Sequence, residues 1–201
     1  MISSPLKLGF LASKNGTSMR AIVEAARAGG LAVEPRVVVS NNRKAPALEF
    51  ASERGVPTLV IPTQADPEAA DAALCAALER AGVELVILSG YLRRLGPLTL
   101  GRYRNRILNI HPGLLPAFGG EGMYGRRVHE AVIAAGASES GATIHAVDEI
   151  YDHGPVIERR TVPVLAGDTA ETLEARVAAM EPGFFVETLA RIAAGELRLP
   201  D

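Results

Sequence analysis

The sequence predicts a doubly wound α/β fold on a mainly parallel sheet, Rossmann-like in its first half, with a C-terminal antiparallel extension and helices. Three observations lead there. Short apolar runs alternate with helical patterns through the first 111 residues. This alternation, with a helix-length segment between successive runs, implies right-handed crossovers and a sheet covered on both faces. The pattern then changes to two extended runs separated by a turn, followed by one long helical stretch.

Each element has its own signal. "LKLGFLAS" (6–13) reads as a buried strand, and "TSMRAIVEAARAGG" (17–30) as a helix with Ala, Ile and Val at helical spacing and a Gly-Gly stop. "EPRVVVSN" (34–41) is a Val-rich strand, "APALEFASERG" (45–55) a helix and "PTLVIP" (57–62) a short strand between prolines. "DPEAADAALCAALERAG" (66–82) is a helix whose acidic first turn suits the helix dipole. "VELVILSG" (83–90) and "RILNIH" (106–111) complete the parallel set. Beyond them, "GRRVHEAVIAAG" (125–136) is helical, and 140–164 gives two strands expected to pair antiparallel at one sheet edge. The stretch 167–197 is a helix, with Asp168 and Glu171 at capping-box spacing and Pro182 expected to break or kink it. With no repeat, low-complexity tract or long linker, a single domain over 1–201 is the economical expectation.

Composition bounds the function. Of 201 residues, 48% are hydrophobic and 22% charged, the profile of an ordinary globular chain. A net charge of -2 and 4% aromatics argue against a nucleic-acid partner. No run is long enough to span a bilayer and the N-terminus lacks a signal-peptide layout, so no membrane partner and a cytoplasmic location are expected. The single cysteine, Cys75, excludes an internal disulfide and is expected as a buried core thiol. The four histidines show no metal-ligand spacing, so no metal is expected.

In doubly wound folds ligands bind beyond the carboxyl ends of the strands. Here those ends carry "SKNGTS", "SNN", "SGYLRRL" and "NIHPGLLP". In "SKNGTS", Gly16 permits a tight turn and the amides of Gly16, Thr17 and Ser18 open a helix. They either bind a phosphate or merely cap the helix. Strand alternation puts Asn109 and His111 on one face, with Ile110 on the other and Pro112 ending the pairing. An amide donor beside an imidazole suits an oxyanion and a proton transfer; a hydrogen-bonded strand end is the plainer reading. Asp152, in the turn "YDHGP", either orients His111 or shapes its own turn. His145 reads as a supporting group near the site, His153 as a turn residue and His129 as part of a solvated helix face.

These residues carry a resemblance. "NIHPGLLP", "SGATIHAVDEIYDHGPVI" and "SGYLRRLGP" resemble the signatures of the phosphoribosylglycinamide formyltransferases, within the folate-dependent formyltransferase superfamily, from about Leu6 to the C-terminal helices. The resemblance implies a Rossmann-like formyltransferase fold and two small-molecule substrates, 10-formyltetrahydrofolate as cosubstrate and glycinamide ribonucleotide, in purine synthesis. It implies that Asn109 and protonated His111 stabilise the formyl oxyanion, that His111 protonates the departing folate nitrogen, and that Asp152 raises the His111 pKa and collects the amine proton through water. Gly16, Thr17 and Ser18 are matched to the ribose phosphate, Glu181 to the substrate amine, and Leu92, Arg93, Arg94 and Leu95, largely through backbone groups, to the folate together with Asn109. The oligomeric state implied is a monomer or homodimer.

The sequence departs from the family pattern in places. Lys14 stands where a smaller residue is usual, Ser18 where Asn is frequent, and Pro182 where His is common. A basic residue usual in the region of "TQADPEAADAAL" is absent. The segment 117–127 is longer and more glycine-rich than in many members; it resembles a known family variant and is expected to act as a mobile flap. Neighbouring activities are a formyltetrahydrofolate hydrolase, whose relatives carry an extra N-terminal domain, and transfer-RNA or sugar-nucleotide formyltransferases, which are longer. A nonenzymatic folate or nucleotide sensor is the alternative from another class.

Overall fold

The computed structural model describes residues 4–201; the first three residues of the expected 1–201 domain lie outside the described residues. Seven strands form one sheet in the order β3-β2-β1-β4-β5-β6-β7. They are β1 (Leu6–Leu11), β2 (Val33–Ser40), β3 (Thr58–Val60), β4 (Leu85–Leu88), β5 (Ile107–His111), β6 (Glu139–Ala146) and β7 (Val156–Pro163). The first five pair in parallel, whereas β6 and β7 are antiparallel additions beside β5. The helices are α1 (Thr17–Arg27), α2 (Pro46–Glu53), α3 (Pro67–Arg80), α4 (Pro97–Arg102), α5 (Arg126–Ala134) and α6 (Ala170–Ala193).

Alternation along the strands divides the core into two layers. Leu8 and Phe10 of β1, Leu85 and Ile87 of β4 and Leu108 of β5 join α1, α2 and α6 on one face. Leu11, Val86, Leu88 and Ile107 join Leu74 and Leu78 of α3 on the other. The apolar runs therefore read as continuous because both faces are covered.

Several local expectations are corrected. Helix α6 runs through Pro182 without a break. Proline removes one amide and costs about 3 kcal/mol in a helix interior, but Leu173, Val177, Phe184, Phe185 and Leu189 are fully buried along the same helix. Their burial, at about 1.5–3 kcal/mol per large side chain, outweighs that loss. The capping box is formed by Thr169 and Thr172 instead of Asp168 and Glu171. Asp168 is drawn into a two-pronged pair with Arg176 at 2.6 and 2.9 Å, which holds its carboxyl well below the usual range. Cys75 is half-buried at the surface of α3, not in the core. His129 is buried, at 2% exposure, and not part of a solvated face; burial pushes its pKa down.

Helix α4 has no counterpart in the sequence reading. Its six residues include a proline and a glycine, and its start is fixed from a distance. The buried carboxylate of Asp71, on α3, accepts from the amides of Leu98 (2.8 Å) and Thr99 (3.1 Å) and from the Thr99 hydroxyl (2.6 Å). A side chain at Gly96 would overlap that carboxylate. Asp71 thus anchors the far end of the 91–96 loop. Asp71→Ala is expected to cost about 2–3 kcal/mol by leaving these donors unpaired; thermal unfolding checks it, and an unchanged Tm overturns the anchoring role.

Candidate active site

The loops at the carboxyl ends of β1, β2 and β4 converge, joined by buried hydroxyls. Ser13, just past β1, accepts from the amide of Leu92 (2.8 Å) and donates to the side-chain oxygen of Asn41 (2.6 Å). Ser89, just past β4, accepts from the amide of Met19 in the first turn of α1 (3.0 Å). At that helix start Gly16 has φ 64 and supplies no side-chain cap. This left-handed geometry favours glycine, and a Cβ there would also crowd Met19 and Ala47. Thr17 and Ser18 follow with first-turn amides directed out of the helix.

The centre of the site lies on β5 and β6. Asn109 pairs with His145 across the antiparallel ladder, and His111 with Thr143. Side chains opposite each other share a face. The Nδ1 of His145 lies 3.0 Å from the carbonyl of Ala146, its own neighbour. Nδ1 therefore carries the proton and donates, leaving Nε2 to accept from the Asn109 amide nitrogen at 3.2 Å. Burial pushes the His145 pKa down, in keeping with a neutral ring. One N–H of the Asn109 amide is thereby directed and the other left free.

Asp152 completes the cluster. It has φ 57 in its turn, a conformation that Asp tolerates better than most residues. Its Oδ2 faces His111 Nδ1 at 3.4 Å, and its Oδ1 faces His145 Nε2 at 3.5 Å. It also accepts from the amide of Gly120 at 3.1 Å. The turn returns tightly: a Cβ on Gly154 would overlap the Ala146 carbonyl that holds His145. On its other side, His111 Nε2 meets the carbonyl of Phe118 at 2.6 Å. The loop between is held by Thr143, whose hydroxyl donates to Gly113 O (2.7 Å) and accepts from Leu115 N (3.1 Å).

The 91–96 loop forms a wall beside this cluster. Leu92 is 58% exposed, and Ile150 and Tyr151, from the Asp152 turn, are also exposed. Arg94 spans between them: its guanidinium donates to Glu149 O at 2.9 Å and lies over the Tyr151 ring at 5.2 Å. Leu95 packs inward against the second core. Glu181, on α6, is half-buried and makes no side-chain hydrogen bond or ion pair among the described residues. Burial pushes its carboxyl up to about 7.

Of the sequence candidates, the structure brings Asn109, His111 and Asp152 into one cluster. Gly16, Thr17 and Ser18 lie at the α1 start, which Ser89 ties to the carboxyl end of β4. Leu92–Leu95 form the wall, and no direct contact joins Glu181 to the cluster. His153 is exposed in the turn, with Asp148 at 3.0 Å. The sequence reading missed the Phe118 carbonyl, the two bridging serines and the Arg94 side-chain contacts. Among the described residues no group of three or more His, Cys, Asp or Glu side chains is placed to hold a metal, and no helix is long and apolar enough to cross a membrane.

A mainly parallel sheet extended by two antiparallel strands, with the carboxylate of the β6–β7 turn brought against an amide and an imidazole of β5, is an arrangement suited to group transfer. The formyl transferase family model matches residues 6–189, and the chain belongs to that family. It is 39% identical over 194 residues to a phosphoribosylglycinamide formyltransferase of Mycobacterium tuberculosis, covering 95% of this chain and 86% of that one. It is 42% identical over 185 residues to a chloroplastic phosphoribosylglycinamide formyltransferase of Vigna unguiculata, covering 91% of this chain but 59% of the relative's length. The chain thus spans less than two thirds of that plant protein. Among solved structures, glycinamide ribonucleotide transformylase 1 of Symbiobacterium toebii superposes with a TM-score of 0.86 at 35% identity, covering 99% of this chain and 96% of that one.

The isolated carboxyl of Glu181 yields a pH prediction. Its folded pKa of about 7 exceeds the unfolded value of about 4.3, so folding loses stability as pH rises between them and carries the full penalty above 7. Glu181→Gln is expected to raise Tm at pH 8 and leave it unchanged at pH 4. Equal Tm shifts at both pH values would overturn the assignment.

Proposed function

We propose that this chain transfers the formyl group of 10-formyltetrahydrofolate to the amine of glycinamide ribonucleotide, the step of purine synthesis named by its relatives. The observation that carries the reading is the Asn109–His145–Asp152–His111 cluster, in which one amide N–H and one imidazole nitrogen can converge on a single oxygen. The single sheet supports treating the whole chain as one domain. The reading carries a cytoplasmic monomer or homodimer acting on two small molecules.

In the proposed reaction the neutral acceptor amine attacks the formyl carbon. A carbon–nitrogen bond forms, and the carbonyl oxygen takes negative charge. Asn109 donates its free N–H to that oxygen, held in direction by His145, and His111 supplies the second donor. The bond to the folate nitrogen then breaks, and His111 gives that nitrogen its proton. Asp152 holds the imidazole and receives the amine's proton through water. The Thr17 and Ser18 amides bind the phosphate at the positive end of α1, Glu181 takes the amine end, and the wall of Leu92, Ile150 and Tyr151 receives the apolar ring system of the donor.

The Phe118 carbonyl occupies the His111 nitrogen that faces away from Asp152, so the 117–127 segment must withdraw before that nitrogen acts. Hydrogen exchange of 117–127 is expected to change in protection when 10-formyltetrahydrofolate binds; an unaltered pattern would exclude a moving flap.

Mixing the protein with 10-formyltetrahydrofolate, with and without glycinamide ribonucleotide, tests the reaction. Tetrahydrofolate release that depends on the acceptor is expected. Release without it would identify a hydrolase, and binding without release a sensor. Asn109→Ala is expected to lower kcat about 10²–10³-fold and His111→Ala about 10²–10⁴-fold, with phosphate-substrate binding retained. Near-normal turnover in either would remove that residue from the mechanism.

A further inference from the structure

Every carbonyl from Ser13 to Gly16, in the loop between β1 and α1, accepts a hydrogen bond. The Ser13 carbonyl accepts from the Asn42 side-chain nitrogen at 3.4 Å. The Lys14 carbonyl accepts from the amide of Ala47, in the first turn of α2, at 3.2 Å. The Asn15 carbonyl accepts from Arg20 Nε at 2.7 Å, and the Gly16 carbonyl from the Arg20 amide at 2.9 Å. The amides behave in the opposite way. Among the described residues, those of Gly16, Thr17 and Ser18 meet no acceptor within the chain. Free amides on successive residues, beginning at a left-handed Gly16, form a concavity that attracts an anion.

At Asn15 this division depends on one side chain. The Asn15–Gly16 peptide is trans, so its carbonyl and the Gly16 N–H point in opposite directions. Holding the carbonyl inward therefore turns the Gly16 N–H outward, beside the free amides of the α1 first turn. Gly16 has the widest backbone freedom of any residue type, so an unheld peptide here can rotate and withdraw its amide. The group that holds it is itself anchored. Arg20 Nη2 donates to the Pro46 carbonyl, at the start of α2, at 3.1 Å. Its guanidinium lies over the ring of buried Phe50, 4.6 Å from the centroid. Among the described residues Arg20 takes part in no ion pair, so its planar fork serves the two carbonyls alone.

We propose that Arg20 is a positioning residue for the acceptor: its fork fixes the Asn15–Gly16 peptide so that the Gly16 amide completes the phosphate cradle formed with Thr17 and Ser18. The proposal rests on the reading above, in which the start of α1 receives the acceptor's phosphate. The Arg20 side chain touches protein carbonyls, and the phosphate lies on the opposite side of the peptide it holds. That phosphate is remote from the reacting amine, and its contacts are the same before and during bond formation. Loss of Arg20 therefore weakens ground-state and transition-state binding alike, which appears in KM and not in kcat.

The test is kinetic. Arg20→Ala is expected to raise the KM for glycinamide ribonucleotide about tenfold, with kcat and the donor KM unchanged. With the dephosphorylated acceptor, glycinamide ribonucleoside, the variant and the unaltered protein should have the same KM. Arg54→Ala controls for packing between α1 and α2. Arg54 lies over the same Phe50 ring at 3.6 Å and pairs with Glu24 at 2.5 Å, but makes no hydrogen bond to the loop. That variant should keep the acceptor KM of the unaltered protein. An unchanged acceptor KM in Arg20→Ala would overturn the proposal. So would an equal rise in Arg54→Ala, or a rise that persists with the dephosphorylated acceptor. Calorimetric titration with ribose 5-phosphate separates the positioning role from the reaction. Affinity lowered about tenfold in Arg20→Ala alone, with no turnover in the unaltered protein, would uphold the positioning role and overturn formyl transfer. Turnover with an unchanged acceptor KM in Arg20→Ala would do the reverse.

Discussion

The antiparallel register of β6 against β5 is the constraint on which the site depends. It sets Asn109 opposite His145 and His111 opposite Thr143, so one ladder places a supporting group beside each polar residue of β5. The direction of hydrogen bonding then runs outward from the backbone. The Ala146 carbonyl fixes the His145 tautomer, His145 turns the Asn109 amide, and the amide is left with one directed donor. A protonated His145 would place a proton at Nε2 and reverse the last two steps. Burial, which opposes charging of the ring, keeps the orientation intact.

The same economy joins the loops. Thr143 clamps the chain after His111, and Ser13 and Ser89 tie the β1 and β4 loops to the start of α1 and to one another. Each tie is a short buried hydroxyl bridging segments far apart in sequence. Carboxylates do similar work where several amides need a partner: Asp71 at the start of α4, and Asp152 at the amide of Gly120. The loops thus hang from fixed points on the elements around them.

How much of this was legible in the sequence follows from the range of each interaction. Strand alternation is local, so the pairing of Asn109 with His111 on one face could be read directly. The parallel half was equally open, because its apolar runs and helical patterns repeat at short range. Helix α4 was not, since its start is capped by Asp71 from 28 residues away. The tautomer-setting role of His145 needs the β5–β6 register, which no local pattern supplies. His129 has a polar neighbourhood in sequence, and only the packing of α5 shows it buried. Pro182 misled because its local cost is real but smaller than the apolar burial along α6.

Two groups assigned to the proposed reaction, Glu181 and His111, are left incomplete by the chain itself. Glu181 is half-buried without a cation, and its carboxyl therefore resists ionisation near neutral pH. In the proposed reaction an arriving amine, placed nearby, would restore the charge and be retained by it. His111 has the opposite condition. Both of its ring nitrogens already meet oxygens, one on Asp152 and one on Phe118. Of these, the backbone carbonyl is the contact that a substrate can replace, because Asp152 is held in its turn by the close fit of Gly154 against Ala146. In the proposed reaction, binding therefore acts in two different ways: it completes a missing partner at Glu181 and exchanges an existing one at His111.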